Sequence, residues 1–143
     1  MTDLLRPFMA WRWWLLSLAG VFVGILLGRQ ADSGDPELLA VQTILWVVLV
    51  YPFLEELVFR GGLQGWLLTW LRYAIGPITL ANVLTSLAFA LTHVMVWGHT
   101  AAALVFVPSL AFGWTRDAHG SVAGAVVMHA LWNAAFLLGR ALT

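Results

Sequence analysis

Residues 51–62, which read YPFLEELVFRGG, decide how the rest of the chain is interpreted. This stretch places Glu55, Glu56 and Arg60 inside an apolar run that extends from residue 38 to residue 71. An ionised side chain in hydrocarbon has a high free-energy cost, so intramembrane acids usually have a partner or a function. Two of the seven acidic residues of the chain lie here, and both therefore need an explanation.

Helical geometry gives the two glutamates different partners. Glu56 and Arg60 are four residues apart with the acid first, the favourable order for an ion pair on a helix. Glu55 lies about 100° further around the helix axis, so it points elsewhere. The sequence therefore predicts a Glu56–Arg60 pair with a structural role, and a second carboxylate, Glu55, whose partner comes from another segment.

Two downstream apolar segments each carry a histidine. One is FALTH, which ends at His93, and the other is HALWN, from His129 to Asn133. His129 and Asn133 are four residues apart and share a helix face, as do Phe89 and His93. We expect these polar groups to meet Glu55 inside a helix bundle.

The three motifs together, EExxxR, FxxxH and HxxxN, resemble those of the CAAX-protease and bacteriocin-processing family of intramembrane glutamate proteases. Its best known members are the type II CAAX prenyl endopeptidases. The resemblance covers residues 55–133, most of the chain. Each motif alone is weak, and the resemblance rests on their order and on the apolar setting of each one.

Peptide hydrolysis requires an activated water, a stabilised oxyanion and a proton for the leaving amine. Glu55 suits the general base and acid, and His93 can hold and direct the same water. His129 and Asn133 offer N–H donors for the oxyanion. The resemblance implies the same roles at these positions, and no metal or other cofactor.

Four further residues belong to the predicted site. Glu56 is included among the catalytic candidates because it adjoins Glu55, and Arg60 is its charge partner. Phe89 and Trp132 are candidates for a substrate groove, with ordinary packing as the alternative for both.

Composition indicates a membrane protein of one domain, residues 1–143. Hydrophobic residues make up 62% of the chain and charged residues 10%, whereas soluble domains average about 45–50% and 25%. The formal net charge of zero suggests no nucleic-acid partner. The absence of cysteine excludes disulfides, thiolate zinc sites and a cysteine nucleophile.

The hydropathy pattern predicts an all-α, polytopic membrane helix bundle of about six transmembrane helices, given that one crossing takes about 20 residues. Gly20, Gly24 and Gly28 share one face of the first helix and predict close helix packing. A turn is predicted at residues 33–36, and Pro52 is expected to divide the following apolar run into two crossings. The predicted crossings are residues 11–28, 37–53, 55–73, 77–97, 100–114 and 121–138.

Six crossings put both termini on one side of the membrane, and they divide the arginines evenly. Arg6, Arg12 and Arg140 fall on the side of the termini, and Arg29, Arg72 and Arg116 fall on the other. The positive-inside rule is therefore a tie. Following the resemblance, we place both termini in the cytoplasm of a prokaryotic cell and the protein in the cell membrane.

The leading interpretation is an intramembrane endopeptidase that cleaves near the C-terminus of a membrane-bound, lipidated or tail-anchored protein or peptide. A second is a zinc metalloprotease with Glu55, His93 and His129 as ligands, since three N/O ligands and a water form a catalytic zinc pattern. A third is a non-enzymatic proton-coupled carrier or immunity protein, because buried Glu and His also form proton relays. The substrate, its prenylation and the oligomeric state stay open.

Overall fold

The structure, a computed structural model, describes residues 5–31 and 40–142. The predicted turn at residues 33–36 lies outside these ranges. Within them the protein is all-α except for one short hairpin. The helices are α1 (Trp11–Gln30), α2 (Val41–Leu67), α3 (Leu80–Trp97), α4 (Phe106–His119) and α5 (Val122–Ala141), with 3-10 turns at Pro7–Met9 and Thr100–Val105.

In the described part of the chain, four helices are long and apolar enough to cross a membrane: α1, α2, α3 and α5. The predicted number of six is therefore not reached. One reason is α4, which has 14 residues in regular α-helix and follows a 3-10 turn. The other reason is α2, where the structure has one helix in place of two.

Pro52 does not break α2, contrary to the sequence prediction. A π-helical segment, Trp46–Val50, comes directly before the α-helical turn that contains Pro52. The backbone N–H of Tyr51 donates to the carbonyl of Trp46, five residues back. This wider turn lets the helix continue past the proline, so Val41–Leu67 is a single helix of 27 residues.

A two-stranded hairpin connects α2 to α3, a region that the sequence analysis took for helix ends. Strands β1 (Ala74–Ile75) and β2 (Ile78–Thr79) are antiparallel. Gly76 sits in the turn with φ +60°, a conformation that glycine adopts without steric cost. The Thr79 hydroxyl then accepts from the backbone N–H of Asn82, and this cap starts α3.

Helices α1 and α5 pack side by side and run in the same direction. The Trp13 indole N–H near the start of α1 donates to the carbonyl of Gly124 near the start of α5 at 3.2 Å. Further along, Gly28 lies against the backbone of Gly139. The predicted packing role of the α1 glycines is confirmed. The parallel arrangement contradicts the expectation that both chain ends lie on one side, because Pro7 and Ala141 lie at opposite ends of the bundle.

The apolar core lies where α1, α4 and α5 meet. Its buried residues are Trp13, Phe112, Ala125 and Met128. Seven aromatic residues lie near predicted helix ends, where the sequence predicts anchors at the membrane interface: Trp11, Trp13, Trp14, Trp70, Tyr73, Trp97 and Trp114. For Trp13 this is wrong, because its side chain is fully buried and its N–H has a partner inside the bundle.

We expect Gly28→Ala to lower the midpoint of thermal unfolding in detergent. The added methyl group would meet the carbonyl oxygen of Phe136 and push α1 away from α5. Gly62→Ala is the matched control, because the nearest atom to its methyl group is 3.8 Å away. This control should not lower the midpoint, since alanine is favoured over glycine in a helix by up to about 1 kcal/mol. Equal midpoints for the two variants would contradict the close α1–α5 contact.

Candidate active site

The buried face of α2 is unusually polar. Every fourth residue along it is buried: Pro52, Glu56, Arg60 and Gln64. In a regular α-helix of 3.6 residues per turn, a spacing of four would drift around the axis. The π-helical segment Leu57–Gln64 has wider turns and reduces this drift. The irregular helix therefore keeps these side chains pointing into the bundle.

The predicted Glu56–Arg60 ion pair is present and fully buried. Arg60 Nε donates to Glu56 Oε2 at 2.9 Å, and neither side chain is exposed. Arg60 Nη2 also donates to the hydroxyl of Ser109 on α4 at 2.6 Å. Its guanidinium carbon lies 5.5 Å from the centre of the Phe89 ring, a cation–π contact. Pairing and these extra contacts offset the cost of removing two charges from water.

The second oxygen of Glu56 contacts His129, a contact that the sequence analysis did not predict. His129 Nδ1 lies 2.9 Å from Glu56 Oε1. An ionised carboxylate only accepts, so Nδ1 carries the proton, and the carboxylate orients the ring. Phe112 stacks on the imidazole with a centroid distance of 4.5 Å and an interplanar angle of 14°. His129 is therefore held on one edge and on one face.

Glu55 is the more accessible of the two carboxylates. Its side chain is 29% exposed, and its Oε2 lies 3.8 Å from His129 Nε2. That distance is too long for a direct hydrogen bond. The neighbouring glutamates thus contact opposite nitrogens of one imidazole, Glu56 tightly at Nδ1 and Glu55 loosely at Nε2.

His93 is fixed by its own helix. Its Nδ1 lies 2.9 Å from the carbonyl oxygen of Phe89, one turn earlier on α3. A carbonyl accepts, so Nδ1 is the donor and Nε2 of the neutral ring keeps its lone pair. Phe89 packs on the ring at 4.3 Å, as expected from their spacing. Phe89 is 2% exposed, so it supports His93 from within the core and does not line a groove.

Asn133 faces α2. Its Nδ2 donates to the carbonyl oxygen of Val47 at 2.9 Å. Val47 lies in the π-helical segment, where the pattern of bonding five residues back would require an N–H from Pro52. Proline has none, and Asn133 satisfies the carbonyl that it leaves open. The hydrogen bond to Val47 uses one of the two N–H groups of the Asn133 amide.

Trp132 belongs to the α1–α5 interface. Its indole N–H donates to the carbonyl of Ser17 on α1 at 3.1 Å. Its ring occupies the space left by the missing side chain of Gly20. Trp132 therefore packs between α5 and α1, as the packing alternative expects.

The structure adds polar residues that the sequence analysis missed. Gln64 Nε2 donates to Asp117 Oδ1 at 2.7 Å and to the carbonyl of Gly113 at 3.0 Å. Asp117 Oδ2 accepts from the Thr79 hydroxyl at 2.8 Å, which ties the hairpin to α4. The sequence signal for Gln64 was its position four residues after Arg60, which continues the spacing of the buried face.

A family model named type II CAAX prenyl endopeptidase Rce1-like matches residues 36–135. This chain belongs to that family. No curated protein and no solved structure matches it. The matched range contains all the residues described above from Glu55 to Asn133, and the suspected CAAX-protease resemblance is thereby confirmed.

Membership places the chain in a family of peptidases. Together with the four apolar helices, it also makes the chain an integral membrane protein. The family match covers α2, α3, α4 and residues 122–135 of α5, and this range includes Glu55, Glu56, His93 and His129. Helix α1, outside the match, contributes packing against α5.

We expect Glu56→Gln to destabilise the protein more than Glu55→Gln does. Glu56 is buried between a cation and an imidazole, and its neutralisation leaves Arg60 charged and unpaired, a loss of about 3–5 kcal/mol for buried pairs. Glu55 is partly exposed and contacts His129 at a longer distance, so its amide variant should unfold close to wild type. Thermal unfolding of both variants in one detergent measures the difference. Equal midpoints would argue against the structural role of Glu56.

Proposed function

We propose that the protein is an intramembrane endopeptidase in which Glu55 activates the hydrolytic water. Its substrate is a membrane-bound, lipidated or tail-anchored protein cut near its C-terminus. The observation that carries this is the difference between the two glutamates. Glu56 is fully buried with both oxygens bonded, whereas Glu55 is 29% exposed and sits 3.8 Å from an imidazole nitrogen.

In the proposed reaction, a water molecule lies between Glu55 and His93. Glu55 takes one proton from it as general base. His93 Nε2, with its lone pair free because Nδ1 donates to Phe89, accepts a hydrogen bond from the second proton and aims the oxygen. The hydroxide adds to the scissile carbonyl, and Glu55 then returns its proton to the departing amine.

His129 is proposed to stabilise the oxyanion in its charged form. Its Nδ1–H is committed to Glu56, so a proton on Nε2 makes the ring an imidazolium that points toward Glu55. Arg60 in turn pairs with the other oxygen of Glu56.

Asn133 is proposed to supply the second oxyanion donor. One of its amide N–H groups is held by Val47, which fixes the plane of the amide. The other N–H is the candidate donor, one helical turn along α5 from His129. Because the contact with Val47 also explains why an amide is needed here, the two roles of Asn133 require an experiment that separates them.

The proposed orientation places the start of α1 in the cytoplasm. With α1, α3 and α5 running one way and α2 and α4 the other, the arginines no longer divide evenly. Arg6, Arg12, Arg72 and Arg116 lie at the end of the bundle where α1 begins, and Arg29 and Arg140 lie at the other. The positive-inside rule then favours the first end as cytoplasmic. The end of α5 would face the opposite side.

Glu55→Gln should abolish cleavage while preserving the fold. The amide keeps the shape of the side chain and cannot accept the proton of water. The measurement is turnover of a lipidated or tail-anchored reporter in proteoliposomes, with the thermal midpoint as the control for folding. Turnover near the wild-type rate would refute the assignment of Glu55 as the base.

Variants of His129 and Asn133 should lower kcat by a factor on the order of 10²–10³ with little change in KM, as for the loss of one oxyanion donor. If both donors serve one oxygen, the double alanine variant should lose less than the product of the two factors. Additive losses, or a rise in KM at unchanged kcat, would contradict the shared oxyanion role.

The background Pro52→Ala separates the two roles of Asn133. Alanine at this position has a backbone N–H that can bond to the carbonyl of Val47, so Asn133 is no longer needed there. A catalytic Asn133 predicts that Asn133→Ala still lowers kcat by about the same factor in this background. A purely structural Asn133 predicts that the loss disappears.

Purified active protein is expected to cleave without a bound metal. In residues 5–31 and 40–142, no group of three or more His, Cys, Asp or Glu side chains is arranged to hold a metal ion. Elemental analysis and chelation test this expectation. Stoichiometric zinc, with activity lost to a chelator and restored by zinc, would support the metalloprotease alternative.

A further inference from the structure

Three fully buried side chains near the Glu56–Arg60 pair each keep one polar atom without a hydrogen-bond partner among the residues that the structure describes. They are Arg60 at Nη1, Gln64 at Oε1 and Thr85 at Oγ1. The first is a donor, the second an acceptor, and the hydroxyl can be both. A buried polar atom that stays unpaired costs about 1–3 kcal/mol, so each of the three needs a partner.

The three side chains lie on facing walls of α2 and α3. Arg60 lies at the level of Phe89, since its guanidinium carbon is 5.5 Å from the centre of that ring. The two helices run in opposite directions. Gln64 is one turn from Arg60 toward the hairpin, and Thr85 is one turn from Phe89 in the same direction. Gln64 and Thr85 therefore lie at about the same depth, each one helical turn from the Arg60–Phe89 level toward the hairpin.

Water is the ligand that fits this set of atoms. It accepts from Arg60 Nη1 and donates to Gln64 Oε1, and it can donate to or accept from Thr85. Buried waters typically make about three such hydrogen bonds. An anion is not required, because the charge of Arg60 is already balanced by Glu56 at 2.9 Å.

Further polar side chains lie on both sides of this water position, toward the hairpin and toward the candidate active site. Toward the hairpin, Gln64 Nε2 donates to Asp117, which lines a cleft at the end of the bundle with Arg12, Pro77 and His119. Toward the candidate active site, Arg60 binds Glu56, and Glu56 binds His129. A water bound to Arg60, Gln64 and Thr85 would connect these two sets of polar groups, because it would bridge Gln64 to Arg60.

We propose that Arg60, Gln64 and Thr85 bind a water molecule, and that this water belongs to a polar route from the Asp117 cleft to the Glu56–His129 pair. The water site depends on the geometry alone. The use of the route to supply water for hydrolysis rests on the proposed function.

The test compares wild type with Thr85→Val and Thr85→Ser. Valine has nearly the shape of threonine without the hydroxyl, and serine keeps the hydroxyl. An experimental structure that resolves these side chains should show a density peak within hydrogen-bond distance of all three atoms in wild type and Thr85→Ser. The peak should be absent in Thr85→Val. Turnover in proteoliposomes is measured on the same three proteins.

For turnover, Thr85→Val should lower kcat about tenfold at unchanged KM, the effect of losing one buried hydrogen bond, and Thr85→Ser should match wild type. No density peak in wild type overturns the water site. A peak with normal kcat in Thr85→Val overturns the route and leaves the water site standing. If none of the three proteins cleaves any substrate, the proposed function fails, and the density alone then decides the water site.

Discussion

The burial of two charges, Glu56 and Arg60, is the constraint on which the rest of the structure depends. Neither side chain is exposed, and each needs partners beyond the other. Those partners come from α4, through the hydroxyl of Ser109, and from α5, through His129. Because an unpaired charge inside the bundle would be strongly destabilising, the pair fixes how α2, α4 and α5 approach one another. The candidate active site is a consequence of that arrangement.

The irregular backbone of α2 makes the arrangement possible. π-Helical segments are rare and often occur at functional sites, and α2 has two, one on each side of the glutamates. The first carries the helix past Pro52 and leaves the Val47 carbonyl to Asn133. The second keeps Arg60 and Gln64 on the buried face. Irregular backbone at membrane depth needs partners for the polar groups that it leaves open, and Asn133 supplies one to Val47.

Adjacent glutamates on one helix can take separate tasks because one residue step turns the side chain by about 100°. Glu56 faces the interior, where Arg60 and the imidazole of His129 bind both of its oxygens. Glu55 faces the partly open side and approaches the same imidazole from its other nitrogen. A single ring therefore connects a carboxylate with a structural role to a carboxylate proposed to do the chemistry.

The sequence by itself determined what depends on near neighbours and on apolarity: the membrane class, the Glu56–Arg60 pair, the contact of Phe89 with His93, and the glycine face of α1. It also carried the motifs that identify the family. Tertiary structure alone decided the number and direction of the helices, the burial of Trp13 and the contact of Glu56 with His129.

The physical reason is visible at Pro52. Its local effect is to break a helix, and what offsets this effect is a wider turn together with an amide from Asn133, 86 residues away from Val47. A partner so distant in the chain cannot be inferred from the local sequence pattern. For the same reason, the sequence could not show that residues 41–67 form one crossing and not two.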